Sequence, residues 1–107
     1  MENFSLSGIT LSIFFDTRRA KDELWYPVKY RVTYMRKRTY ISSGIDLTEE
    51  EWGNLSKARK RELIDNRELI YAGFDNVKAE IKDMVKGEGF SIEGLIRRLK
   101  RGMKDSI

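Results

Sequence analysis

Apolar and polar residues alternate along the first half of the chain, which is the pattern of β-strands with one buried face. The alternation runs over residues 9–16 and again over residues 26–35. The apolar positions are Ile9, Leu11, Ile13 and Phe15 in the first segment and Val28, Tyr30, Val32 and Tyr34 in the second. Because β-branched and aromatic residues dominate both segments, each is predicted to be a strand.

A third strand is predicted over about residues 38–43, after a tight turn. If Arg36 and Lys37 form that turn, Thr33 faces Tyr40. This register keeps apolar and polar residues on separate faces, whereas a slip by one residue would mix them. The turn lacks the Asn-Gly pair that two-residue hairpins prefer, so a longer loop is an open alternative.

The second half of the chain has the spacing of helices. Thr48 and Glu51 form the Thr-x-x-Glu pattern of a capping box, so a short helix is predicted after Thr48. From about residue 59 to 86, apolar residues recur every three or four positions, which predicts a long amphipathic helix. A last, basic helix follows Ser91 as its N-cap. Its apolar face has little left to pack against, which suggests a truncated chain or a missing partner.

These elements predict an α+β fold. A three-stranded antiparallel sheet packs on a long C-terminal helix, with further short helices. So small a sheet needs a cover for its apolar face, and the long helix supplies one. Along the chain we expect a flexible N-terminus over residues 1–8, the sheet and short helix over 9–54, and the long supporting helix over 55–89.

Missing residue types argue against several classes of function. The 107 residues include no cysteine and no histidine, which removes disulfides, thiolate and imidazole ligands, and Ser-His or Cys-His nucleophile pairs. The acidic residues are scattered along the predicted helices, and no glycine-rich phosphate motif is present. We therefore expect no catalytic residues, no metal, no cofactor and no small-molecule substrate.

The chain also lacks the signs of a membrane protein. No apolar run approaches the ~18 residues that mark a membrane span. The first residues do not combine a basic region with an apolar core, so no signal peptide is expected. We expect a cytoplasmic protein with no membrane partner.

The positive charge is concentrated in the first half of the chain. The net charge is +4, and residues 1–44 hold 8 basic and 4 acidic residues, whereas residues 45–107 hold 13 of each. A basic half beside a neutral half suggests a polyanion-binding surface on a supporting element.

The polar face of the predicted sheet is the candidate surface. It combines Lys29 and Arg31 with the hydroxyl of Thr33 and the ring of Tyr40. Strands can enter a DNA major groove, where arginine contacts guanine and lysine binds phosphates. The Arg36-Lys37-Arg38 cluster at the hairpin tip could reach the backbone beside the groove. An ordinary solvated sheet face has the same composition, so this simpler interpretation stays equally open.

Two other functions also remain open. A protein-interaction or assembly module would use the apolar stripe of the last helix, and the basic sheet would then be incidental. An RNA-binding domain needs exposed rings that stack on unpaired bases. For that role the sheet face offers Tyr40 and Phe14.

Residues 9–54 resemble the N-terminal arm-type DNA-binding domain of phage and conjugative-transposon integrases, which are tyrosine recombinases. The resemblance rests on a hydrophobic strand ending in Asp-x-Arg, a polar connector, and the stretches YPVKYRVTYMRKRTY and SSGIDLTEEEW. It implies sequence-specific binding of double-stranded DNA at arm-type sites, which positions the recombinase for integration or excision. The implied DNA-binding residues are Lys29, Arg31, Thr33, Arg36, Lys37, Arg38 and Tyr40, with Arg18, Arg19 and Lys21 as weaker candidates.

The chain departs from such integrases in one respect. Those enzymes cut DNA with a tyrosine supported by arginines, a lysine and a histidine in a C-terminal domain, and this sequence has no histidine and stops at Ile107. The resemblance therefore implies a non-catalytic fragment of a longer integrase, or a free-standing relative. Residues 90–107 would begin the linker and core-binding region, and other integrase protomers or domains of the parent chain are the implied protein partners.

Overall fold

A computed structural model of the chain describes residues 3–18 and 24–105, with side chains up to residue 101. The first half forms four strands, which are β1 (Asn3–Leu6), β2 (Ile9–Phe15), β3 (Tyr26–Tyr34) and β4 (Lys37–Leu47). The second half is helical, with α1 (Glu49–Gly53), a 3₁₀ helix (Leu55–Lys57), α2 (Arg61–Lys86) and α3 (Ile92–Asp105). The α+β class and the long helix agree with the sequence prediction.

The sheet has four antiparallel strands in the order β1-β2-β3-β4, so the predicted count of three is wrong. The additional strand, β1, lies in the segment that was expected to be a flexible N-terminus. Ser7 and Gly8 join β1 to β2 with φ angles of 51° and 79°, as a two-residue hairpin turn requires. Phe4 lies opposite Leu11, so β1 extends the apolar face as well as the hydrogen-bonded ladder. Four residues are too few for alternation alone to identify a strand.

The turn between β3 and β4 is Met35-Arg36 and not the predicted Arg36-Lys37. Tyr34 pairs with Lys37 across this two-residue loop, so Thr33 faces Arg38 and not Tyr40. Both loop residues have positive φ, 50° and 68°, as in a type I′ turn. The predicted register was therefore displaced by two residues along β4. A displacement by two keeps every side chain on its predicted face, because strand faces alternate with period two.

β4 runs well past the predicted end at residue 43. Gly44, with a φ of +80°, lies inside the strand, where the ladder is irregular between Pro27 and Lys29. The hydroxyl of Ser43 donates a 2.6 Å hydrogen bond to the carbonyl oxygen of Val28 at this irregularity. The glycine thus permits a bulge and does not end the strand.

Helix α2 covers the apolar face of the sheet, as the sequence predicted. The strand side chains of the core are Ile9, Leu11, Val28, Tyr30, Val32 and Leu47, and those of α2 are Ile70, Phe74, Val77, Ile81 and Met84. The helix and the sheet pack closely at Gly73, where an added Cβ atom would lie 2.9 Å from Cζ of Tyr30. The hydroxyl of Tyr30 donates a 2.6 Å hydrogen bond to the carbonyl oxygen of Ile70, and burial raises the pKa of this phenol to about 12.

The two helix N-caps that the sequence predicts, Thr48 and Ser91, are confirmed. The side chain of Thr48 accepts from the backbone N–H of Glu51, and the side chain of Glu51 accepts from the backbone N–H of Thr48. At the start of α3, the hydroxyl of Ser91 accepts from the backbone N–H of Gly94. The reciprocal pair at Thr48 and the single bond at Ser91 satisfy N–H groups that a helix start leaves unpaired.

Helix α3 packs on the rest of the chain, which corrects the expectation that its apolar face has little to contact. Leu95 is fully buried in the common core. The ring of Phe90, just before α3, meets Tyr34 edge to face at 5.0 Å. One guanidinium nitrogen of Arg98 lies 2.6 Å from Asp83 and 3.3 Å from Glu80, so α3 is also held to α2 by charge.

Candidate nucleic-acid interface

The side of the sheet opposite α2 is polar, and its register arranges the side chains in three rows across β2, β3 and β4. The rows are Thr10–Thr33–Arg38, Ser12–Arg31–Tyr40 and Phe14–Lys29–Ser42. We call these nine residues the outer face. Each row crosses the sheet at one level, and each combines hydroxyl groups with a cation or a ring on the same surface.

Asp16, the residue after β2, is a buried carboxylate beside the outer face, and two cations contact it. It is 0% exposed, and its carboxylate accepts from both neighbouring cations. The Nζ atom of Lys29 lies 2.9 Å from Oδ2 of Asp16. Arg18 donates from Nε at 2.9 Å, from Nη2 at 3.3 Å and from its backbone N–H at 3.1 Å. The Asp-x-Arg motif of the sequence is therefore a charged turn that also holds a lysine from the next strand.

These contacts set the protonation of the cluster. Hydrogen bonds from Arg18 and then Lys29 hold the pKa of Asp16 far below its usual range, against the opposing effect of burial. The same carboxylate raises the pKa of Arg18. At neutral pH the cluster is an ionised carboxylate shared by two cations. Much of the charge of Lys29 and Arg18 is thus compensated within the protein.

An aromatic pair lies in the middle of the outer face. The rings of Phe14 and Tyr40 are 5.4 Å apart, and the guanidinium carbon of Arg18 lies 5.3 Å from both centroids. The guanidinium carbon of Arg31 lies 5.2 Å from the centroid of Phe14. Cations over ring faces at these distances are attracted by the ring quadrupole. Phe14 therefore contacts two arginines at once.

The basic hairpin tip divides between the two sides of the sheet. Arg36 lies in the turn and is exposed. Lys37 lies opposite Tyr34, which places it on the side that α2 covers. Arg38 lies opposite Thr33 on the outer face, where it lines a shallow depression with Asp16, Arg18, Lys29, Thr39 and Tyr40. Only one of the three tip cations thus belongs to the outer face.

The predicted site residues therefore fall into groups. The outer face brings together Lys29, Arg31, Thr33, Arg38 and Tyr40, and Arg18 borders it. Arg36 and Lys37 lie at the tip, and Arg19 and Lys21 lie outside the described residues. Sequence reasoning gave no structural role to Asp16 and considered Phe14 only for RNA. The Asp-x-Arg motif and the position of Phe14 in the polar alternation were the signals for them.

Within the described ranges, 3–18 and 24–105, no group of three or more acidic side chains is arranged to hold a metal ion. No helix in this part of the chain is long and apolar enough to cross a bilayer.

The described part of the chain thus has a four-stranded sheet with one face covered by α2 and one face that carries basic side chains. A search of protein-family models matches residues 13–89 to the Arm DNA-binding domain, which is 77 of the 107 residues. The chain belongs to this family, and the predicted resemblance to an arm-type DNA-binding domain is confirmed. An arm DNA-binding domain is a non-catalytic module, so the chain is not itself catalytic. Comparison with curated proteins and with solved structures gave no match.

Proposed function

We propose that the chain binds double-stranded DNA sequence-specifically through the outer face, as the arm-binding domain of a site-specific tyrosine recombinase. In this role it would hold the enzyme at arm-type sites during integration or excision. The observation that carries the proposal is the outer face itself, where cations, hydroxyls and rings stand in register beside a basic hairpin tip. Cytoplasmic action, and contacts with other protomers or domains of the parent enzyme, belong to the same proposal.

The dimensions of a strand suit a DNA groove. Alternate residues on one strand face are about 6.7 Å apart, which is twice the ~3.4 Å rise of a base pair. A strand that lies along the groove would therefore present one outer-face residue for every two base pairs. Lys29, Arg31 and Thr33 have this spacing on β3, which is flanked by β2 and β4.

The proposed contacts differ in kind because their environments differ. Arg31 has no carboxylate partner in the described part of the chain, and with Thr33 and Tyr40 it is proposed to face base edges. Arg36, Lys37 and Arg38 are exposed, and we propose that they bind phosphates. Lys29 and Arg18 both form ion pairs with Asp16. We therefore propose that they help to position the outer face and also contact the DNA.

The proposal is tested by fluorescence anisotropy of the chain with a labelled duplex of about 20 base pairs, two turns of B-DNA. We expect the logarithm of the binding constant to fall linearly with the logarithm of salt concentration between about 50 and 200 mM, through counterion release. Arg38→Ala should weaken binding to every duplex and reduce the salt slope by about 1. A single-stranded RNA of equal length should bind more weakly.

The matched control is Arg61→Ala, which removes an arginine from the opposite side of the molecule. Arg61 is exposed on α2, where it pairs with Asp65 at 3.4 Å. Its replacement should leave the affinity and the salt slope unchanged. The proposal fails if Arg38→Ala and Arg61→Ala weaken binding equally, or if the chain prefers single-stranded RNA.

A further inference from the structure

Arg31 and Phe14 form a diagonal contact between neighbouring strands of the outer face. Ser12 pairs with Arg31, and Phe14 pairs with Lys29, so the ring lies one row away from the arginine. The guanidinium carbon of Arg31 nevertheless lies 5.2 Å from the ring centroid. Diagonal neighbours are within reach of long side chains, and here that reach brings a guanidinium over a ring.

The two arginines at this ring differ in what their N–H groups contact. Arg18 directs Nε and Nη2 to the carboxylate of Asp16, so this edge of its guanidinium is occupied. No hydrogen bond or ion pair holds the guanidinium group of Arg31 within residues 3–18 and 24–105. Arg31 therefore combines a contact with an aromatic ring and unoccupied guanidinium donors, and a bidentate contact needs such donors.

We propose that Arg31 reads the major-groove edge of a guanine, and that Phe14 is the positioning residue that holds its guanidinium for this contact. The inference rests on the proposed function and names the base-reading element within it. Guanine is the partner because its O6 and N7 atoms match the fork of an arginine. The ring restricts the long side chain before DNA arrives, so less conformational freedom is lost on binding.

The test uses a duplex that the wild-type chain selects from a random-sequence pool, together with the same duplex in which 7-deazaguanine replaces each guanine in turn. This replacement removes the N7 acceptor and leaves Watson–Crick pairing intact. At one position the wild type should lose about tenfold in affinity, the scale of one bidentate base contact. Arg31→Ala and Phe14→Leu should each lower affinity for the selected duplex and abolish the sensitivity to that replacement.

A double-mutant cycle distinguishes loss of the positioning of Arg31 from a general loss of DNA binding. Phe14→Leu combined with Arg31→Ala should bind the selected duplex within about twofold of Arg31→Ala alone, because contacting residues are not additive. Affinity for a random-sequence duplex should change by less than about twofold in the Phe14→Leu variant, since its phosphate contacts remain. Thermal unfolding followed by circular dichroism verifies that each variant is folded.

Two control variants test whether the effect comes from the aromatic ring of Phe14. Phe14→Tyr keeps the ring face and should retain the sensitivity to 7-deazaguanine. Phe4→Leu removes a ring that also lies near two cations, Lys78 at 5.3 Å and Lys82 at 5.9 Å, but on the other side of the sheet. This variant should discriminate between the duplexes as the wild type does.

Three results would overturn the inference. In the first, Phe14→Leu keeps the full 7-deazaguanine sensitivity while Arg31→Ala loses it, so the ring does not position the arginine. In the second, both variants weaken selected and random duplexes equally, which indicates phosphate contacts. In the third, no guanine replacement affects the wild type. Failure of the proposed function has a separate signature, since the chain would then enrich no sequence from the pool.

Discussion

The Nζ atom of Lys29 lies 2.9 Å from Oδ2 of Asp16, and this carboxylate is fully buried at the end of β2. A lysine that the sequence offers as a free DNA contact is thus partly committed to holding its own sheet together. The side chain of Lys29 is only 19% exposed, whereas that of Arg18 on the same carboxylate is 61% exposed. Lys29→Ala would therefore perturb the sheet as well as the DNA contact, and Arg31→Ala is the cleaner test of the surface.

Asp16→Asn should destabilise the fold. The amide lacks the charge that binds both cations, and its buried NH2 group replaces one of the two oxygens that accept from Lys29 and Arg18. We expect the free energy of unfolding to fall by about 1–3 kcal/mol, measured by urea denaturation at pH 7. Asp75→Asn, on the exposed surface of α2, is the matched control and should change the free energy by less than about 0.5 kcal/mol. Equal effects of the two substitutions would contradict the role given to Asp16.

The same carboxylate should make stability depend on acid pH. Folding lowers the pKa of Asp16, so the unfolded chain binds more protons in mild acid. Its contribution is complete above the unfolded value of about 3.9 and declines as the pH falls toward the lowered folded value. The difference in unfolding free energy between wild type and Asp16→Asn should therefore stay constant from about pH 8 to 5 and shrink below about pH 4. A difference that is the same at pH 7 and pH 2.5, on the two sides of that unfolded value, would contradict the ion pair.

Gly73→Ala should destabilise the chain although alanine favours helices. The added methyl group would meet the ring and hydroxyl of Tyr30, at a distance of 2.9 Å from Cζ. Overpacking of this kind costs about 1–3 kcal/mol, more than the ~1 kcal/mol that alanine contributes in a helix. Thermal and urea unfolding should show the loss. In combination with Tyr30→Phe the total loss should be smaller than the sum of the single effects, because the phenol oxygen is gone. If the losses of the two single variants add up in the double variant, the added methyl group does not clash with the hydroxyl of Tyr30.

Replacing the two residues of the β3–β4 turn should stabilise the fold and weaken DNA binding. Met35 and Arg36 both have positive φ, which is unfavourable for side chains other than Asn, Asp and Gly. Met35→Asn with Arg36→Gly supplies the preferred type I′ pair, so stability should rise by about 1 kcal/mol. The same change removes one exposed cation, so the salt slope for duplex binding should fall by about 1. Increased stability with an unchanged salt slope would show that Arg36 does not contact phosphate.

Period-two alternation was sufficient to identify β2, β3 and the two faces, because burial imposes the same period on sequence and structure. The capping box at Thr48 was equally readable, since both of its bonds join residues three positions apart. The turn was misplaced because Met35-Arg36 lacks the usual glycine. β1 was missed because its signal occupies only Asn3–Leu6.

The arrangement around Asp16 needed three-dimensional information. From sequence alone, an aspartate at a strand end is usually interpreted as a solvated turn residue. Its partner Lys29 lies 13 positions away and reaches it only through the pairing of β2 with β3. The packing of Leu95 into the core was unpredictable for a similar reason, since it depends on how α3 returns along α2.

The most direct measurement of the central claim is an amide chemical-shift map of the isotope-labelled chain with and without duplex DNA. If the outer face binds DNA, the largest changes should fall on β2, β3, β4 and the hairpin tip, with Arg31 and Tyr40 among the strongest. The exposed surface of α2 around Arg61 should be unaffected. Changes confined to α2 or α3, with an unperturbed sheet, would contradict the claim that the outer face holds the DNA.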